Sequence, residues 1–220
     1  ALDLEGYYIT AKGGVTKSLD TGVTSYINRG GILRVMEDDD LGTGSAFGFS
    51  VGKYLTNGFR LELEAIKRTG YEYDVNSLLF PASANKAKIE THALFINGFY
   101  DFQPFSISNT PITPYLGGGV GISRNKMGRA VQYRFGVPDG VTMGGNTINQ
   151  FAYKLSAGIL VSLTEQLSLD VNYQYVNLGD FKGSGEVYQN GVRQADDLRA
   201  LNGGEIKTQE LMVGLQYTFK

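Results

Sequence analysis

Few residues in this chain could do chemistry, and their spacing narrows what that chemistry is. The single histidine, His92, has Glu90 two residues before it. On a strand, positions two apart share a face, so the pair could activate a nucleophile if a loop supplied a serine. No residue pattern fixes that serine. The acidic run at 37–40 (EDDD) could hold Ca²⁺, but it lacks alternating ligand spacing and a closing glutamate. It reads as a solvated loop, and no metal or cofactor is expected. The glycines at 117–119 and 121 precede no helix, so they are not a phosphate loop. The largest chemically active set is Lys12, Arg60, Glu62, Glu64, Lys154, Asp170 and Glu210, with Arg68 nearer one end. These charges alternate with apolar residues along extended segments, so their chemistry is electrostatic and depends on what the segments enclose.

Total charge excludes one class of partner. With 20 Lys+Arg against 22 Asp+Glu, there is no basic excess of the kind nucleic-acid binding leaves. Cysteine is absent, which removes disulfides and thiolate metal sites and suits a protein that crosses an oxidising compartment. No apolar stretch approaches the roughly 18 residues of a spanning helix. The chain opens on Ala1 and enters strand-like sequence at once, without a basic and then apolar leader, as a mature protein would after signal-peptide removal.

The segments that must position the charges alternate with period two, which indicates strands. They are 5–16, 44–54, 59–68, 89–102, 114–123, 151–163, 167–178 and 206–219. In 59–68, Phe59, Leu61, Leu63 and Ala65 face one way and Arg60, Glu62 and Glu64 the other. Segment 89–102 is apolar on both faces. Its phase is set with Leu94, Ile96, Gly98 and Tyr100 outward, because the opposite phase would put Asn97 on the apolar side. Connections alternate in length, with long, polar, Gly-rich stretches near 17–43, 69–88, 124–149 and 179–204 and short or medium ones between. LTNGFRLELE (55–64) and LTEQLSLDVN (163–172) repeat a hairpin in register. Prolines fall in turns or at a first strand residue, where a missing N–H costs nothing. These features predict an all-β protein of one domain over 1–220: an eight-stranded antiparallel up-and-down barrel.

Two observations decide between a water-soluble barrel and a transmembrane one. Charges vanish from the middle of the apolar faces; Lys53 and Lys207 lie near strand ends, where a long side chain can snorkel. Aromatics gather at both ends of those faces: Tyr7, Phe59, Tyr100, Tyr217 and Phe219 at the short-turn end, and Phe47, Phe49, Tyr153, Tyr173 and Tyr175 towards the long connections. Two aromatic girdles around a polar interior are the pattern of an outer-membrane barrel. The inward charges then read as a salt-bridge network plugging the lumen. The alternative is a polar path or gate for ions.

The stretches EGYYITAKGG, FGFSVGKYLTNGFRLELEA, FINGFYDF, TPYLGGGVGIS, FAYKLSAGILVSLTEQLSLDVNYQY and ELMVGLQYTF resemble the opacity-type (Opa-like) outer-membrane β-barrel family, related to OmpA-like transmembrane domains. The resemblance covers all eight strands and omits the loops. It implies a bacterial outer-membrane protein in contact with outer-membrane lipid and lipopolysaccharide, and the alternation of short turns with long loops predicts periplasmic termini and extracellular loops. The last strand looks like the signal read by outer-membrane assembly machinery, with Leu215, Tyr217 and Phe219 at alternate positions; the chain departs from the family in ending on Lys220. The family implies a surface antigen or adhesin whose loops bind a host or environmental partner; because no residue pattern fixes a nucleophile beside His92, no enzymatic activity is expected. The alternatives are a structural or weakly conducting barrel and, further off, a lipid-modifying enzyme at the rim using His92.

Overall fold

The alternating segments are strands that hydrogen-bond in sequence order and then close on themselves. The computed structural model describes residues 3–19, 23–29, 32–38, 41–76, 83–135, 137–183, 186–194 and 204–220. The barrel strands are β1 (Tyr7–Ser18), β2 (Thr43–Tyr54), β3 (Phe59–Asn76), β4 (Ser83–Asp101), β5 (Thr110–Met127), β6 (Asn146–Ser162), β7 (Leu167–Phe181) and β8 (Gly204–Thr218). Each pairs antiparallel with its neighbours in the chain, and β1 pairs with β8 from Tyr8↔Thr218 to Ser18↔Thr208, so the barrel itself has no open edge. Among the described residues no helix is long and apolar enough to cross a membrane.

Register fixes the tilt. Partners traced around the ring from Phe151 run through Ile122, Leu94, Ala65, Phe49, Ala11, Leu215 and Leu169. They return to β6 at Val161, ten residues further along the same strand. A shear of that size in eight strands tilts them by about 40° and leaves an interior that side chains just fill.

The strands run further than the alternation predicts. β3 and β4 stay paired out to Asn76 and Ala84, and the stretches read as long loops contain strands of their own. Val23–Arg29 pairs with Ile32–Asp38. Ala130–Arg134 joins the outer end of β4, and Val137–Met143, Val187–Gln189 and Val192–Gln194 continue that sheet outward. Backbone N–H and C=O groups seek partners whether or not the side chains alternate, so Gly-rich sequence did not reveal this ladder. Pro111 and Pro114 also lie within β5 and not before it. The carbonyl of Pro114 accepts from the Phe102 N–H at 2.9 Å, so its own nitrogen faces the same side, where β4 has ended. The one rung lost, to the Phe102 carbonyl, falls at the end of the β4–β5 ladder.

The repeated hairpins close alike. The N–H of Leu55 donates to the Phe59 carbonyl (2.8 Å), and that of Leu163 to the Leu167 carbonyl (2.9 Å). Each places a carboxylate, Glu62 or Asp170, at the same step on the inner face.

Candidate functional site

All eight charges named from alternation are less than a tenth exposed and point inward. Glu64 is the hub of the middle of the lumen. Its carboxylate receives the ammonium groups of both Lys12 and Lys154. Lys12 also lies 3.7 Å from Glu62, which accepts hydrogen bonds from the Tyr8 hydroxyl and the Asn97 amide, both at 3.1 Å. Towards the long-connection end, Arg68 donates two bonds to Glu210, Nε to Oε2 at 2.6 Å and Nη2 to Oε1 at 2.8 Å. Gln174 donates to the same carboxylate at 2.7 Å. A buried charge is tolerated only when paired in this way.

The short-turn end is filled differently. Arg60 Nε bonds both carboxylate oxygens of Asp101, at 2.8 and 2.9 Å. Its guanidinium carbon lies 4.7 Å from the ring centre of Phe99, 4.8 Å from Tyr115, 5.6 Å from Tyr8 and 5.7 Å from Tyr54. Desolvated cation–π contacts of this kind contribute about 2 kcal/mol. The Tyr115 hydroxyl donates to Asp170 at 2.6 Å. Small residues make room for the rings, since Tyr8 pairs with Gly52, Phe99 with Gly117 and Tyr115 with Gly158. Sequence reasoning missed this cage and Asp101. The signal was present, because Tyr8, Phe99, Asp101 and Tyr115 all fall on the inward phase.

Towards the long-connection end the interior becomes largely apolar, with a few buried polar residues such as Thr91 and Asn125 among the apolar ones. Leu41, Tyr71, Ile89, Met127, Leu178, Phe181 and Ile206 are buried together there, with Val141 from the outer sheet. Here the logic of the strands inverts. On β4, Leu94 and Ile96 face outward and Asn97 inward within the belt; further out, Ala87 and Ile89 face inward while Lys88 and Glu90 face outward. β5 shows the same change, from Ile122 outward to Arg124 and Lys126 outward with Met127 inward. The surroundings change from lipid to water along one strand, so a polar interior gives way to an apolar one.

The aromatics that the sequence assigns to two girdles all face outward: Phe47, Phe49, Phe59, Tyr100, Tyr153, Tyr173 and Tyr217 are exposed, and Tyr7, Tyr175 and Phe219 are half-exposed. Phe59 meets Tyr100, and Tyr217 meets Phe219, edge to face. The Lys53 ammonium lies 4.4 Å from the Tyr7 ring centre, and Lys207 pairs with Glu205 at 2.7 Å. Leu215, Tyr217 and Phe219 line one outward column of β8 and its end. In the neighbouring turn, the hydrogen bond from Lys220 holds the Glu165 carboxyl below its ordinary value. At the rim, His92 lies on the outer surface, 3.4 Å from Glu90, and Glu90 is taken up by Lys67 at 2.5 Å. Of the acidic run, Glu37 and Asp38 end a strand and Asp39 and Asp40 lie outside the described residues. Among the described residues, no cluster of three His, Cys, Asp or Glu could hold a metal.

Comparison with known proteins accords with this geometry. Outer membrane protein PagN of Salmonella typhimurium is 25% identical over 236 residues, covering 98% of this chain and 90% of that protein. Neisserial surface protein A shares the fold at a TM-score of 0.56 and 15% identity, over 98% of both chains. OprG from Pseudomonas aeruginosa does so at 0.57 and 17%, over 98% of this chain and 96% of its own. The outer membrane protein beta-barrel domain matches residues 3–219, and the chain belongs to that family as a bacterial outer-membrane protein spanning the bilayer with eight strands.

Proposed function

We propose that this protein is a surface-exposed binding protein: a closed barrel that carries its long connections outside the cell, where they engage a host or environmental partner. The observation that carries this reading is the contrast between the two parts of the molecule. The lumen is filled by paired charges, a caged guanidinium and an apolar cap, whereas the long-connection end holds an ordered sheet with Phe135, Val137 and Arg193 exposed. Loops on a rigid scaffold are the usual home of recognition. Loop asymmetry supports an orientation with periplasmic termini, and the sequence likeness to opacity-type proteins supports the surface role. The outward aromatics serve as interfacial girdles in contact with lipid and lipopolysaccharide, Leu215, Tyr217 and Phe219 serve the assembly machinery, and no catalysis is assigned. Replacing 130–143 and 187–194 with short turns is expected to abolish attachment of expressing cells to host cells or matrix while leaving the folded barrel intact. Attachment undiminished by both replacements, with surface levels equal, would rule the reading out.

The buried mixed charge of the lumen favours one second reading, a weakly conducting barrel. It is separated by planar-bilayer recording. The closed-scaffold reading expects no unitary currents from the wild type and none from Arg60→Ala or Glu62→Ala. Discrete currents altered by either substitution would establish the conducting alternative.

A further inference from the structure

The turn between β4 and β5 is too apolar for a hairpin standing in water. Phe105–Ile107 pairs with Thr110–Ile112, and Ser108 and Asn109 turn the chain at φ 47° and 67°, the positive values a two-residue hairpin turn of this type demands. No charged residue occurs from Phe102 to Pro114. Phe102, Phe105 and Ile107 are 43%, 50% and 58% exposed.

Their direction is set by register. Ile112 pairs with Val161 on one side and Phe105 on the other, and Val161 belongs to the outward column of β6. Phe105 and Ile107 therefore extend the lipid-facing surface, while Ser106 faces the opposite way. Tyr100 on β4 and Phe102 just past its end, in edge contact at 5.1 Å, lead down to them. With the hairpin added, the apolar surface on this side of the barrel, measured on β6, is taller than on β2 across the ring. Its column runs from Phe47 to Leu55 on β2 but from Phe151 to Leu163 on β6. With about 3.4 Å per residue and a tilt of about 40°, those columns rise about 21 and about 31 Å. A typical outer-membrane belt is about 25 Å tall.

We propose that the 102–114 hairpin is a membrane-embedded foot, its Phe102–Phe105–Ile107 face lodged among phospholipid at the headgroup–acyl boundary of the leaflet on the short-turn side. Continuity with the lipid-facing belt selects this occupant, because the two surfaces are one uncharged column. Apolar faces bind lipid interfaces by burying a few ångströms into that boundary. The foot anchors one side of the barrel more deeply than the other and limits its tilt and rotation.

The chain has no tryptophan, so a single introduced indole reports its own surroundings. Phe105→Trp, Ile107→Trp, Ser106→Trp and, as a mid-belt reference, Leu116→Trp would be refolded into phosphatidylethanolamine–phosphatidylglycerol vesicles. The emission is then quenched either with lipids brominated near the headgroup end of the chain or with aqueous iodide. At interfacial depth, the Phe105→Trp and Ile107→Trp signals are expected to fall by roughly half with the brominated lipid and barely with iodide, and Ser106→Trp the reverse. Iodide quenching of Phe105→Trp and Ile107→Trp equal to that of Ser106→Trp would overturn the proposal. So would protection from both quenchers, which would mean a protein surface, such as a second copy, covers the hairpin. Either of the two apolar variants suffices if the other fails to fold.

Discussion

Glu64→Gln is expected to destabilise the barrel by about 3–5 kcal/mol, the cost of leaving buried charge without its counter-charge. Two ammonium groups, Lys12 and Lys154, converge on that one carboxylate, and Lys12, Glu64 and Lys154 are all shut away from solvent. The partners left over are weak: Glu62 is 3.7 Å from Lys12, and the Gln174 carbonyl oxygen 3.4 Å from Lys154. Glutamine keeps the shape and one acceptor, so the loss reports charge and not a cavity. Urea titration in lipid vesicles, read from the heat-modifiable gel mobility of the folded form, measures it. Replacing the whole unit, Lys12→Met with Glu62→Gln, Glu64→Leu and Lys154→Met, is expected to recover most of the loss, because a neutral set of similar volume often matches a buried ion cluster. A loss below about 1 kcal/mol from Glu64→Gln would mean that water reaches the middle of the lumen and screens these charges.

Gly117→Ala is expected to destabilise the protein, although the usual rule has the opposite sign. Within a strand, glycine costs about 0.5–1 kcal/mol relative to alanine. At Gly117 an added methyl would press into the Phe99 ring and lie 2.6 Å from the Gly98 carbonyl oxygen. The ring could swing aside only by leaving the Arg60 cage, and the carbonyl belongs to the β4–β5 ladder. Overpacking of this kind costs about 1–3 kcal/mol, and the expected value lies at the upper end. Gly98 is the internal control, since it is the register partner of Gly118 on the outer face and a methyl there meets nothing within 4 Å. Gly98→Ala is expected to be neutral or mildly stabilising. The same titration in both variants checks the contrast, and equal effects would mean that the interior ring is not held where it stands.

Alternation was enough to find every barrel strand and its faces, because lipid outside and polar groups inside give opposite penalties for a one-residue slip. The ambiguous β4 was oriented by Asn97 alone, and Asn97 is buried against Glu62. The pairing of the charges was beyond reach. Arg68 and Glu210 are 142 residues apart and Lys154 and Glu64 are 90 apart, and their heights in the lumen follow from the shear, which no local pattern encodes. The apolar cap was missed for a different reason. An inside-polar pattern holds only within the lipid belt, whereas Ile89 and Met127 lie further along their strands, where the pattern reverses. The Gly-rich connections concealed their strands because glycine lowers the side-chain signal without weakening the backbone ladder.

The β1–β8 seam has a kinetic consequence. It joins Tyr8 to Thr218, nearly the two ends of the chain, so the pairing that removes the last open edge is also the one with the greatest loop to close. Until it forms, the intermediate is a curled sheet with two unpaired edges, each able to template aggregation with another chain. Commitment to the folded state therefore waits on the final strand, and a nascent chain stopped short of β8 would remain an adhesive ribbon however sound its other seven strands.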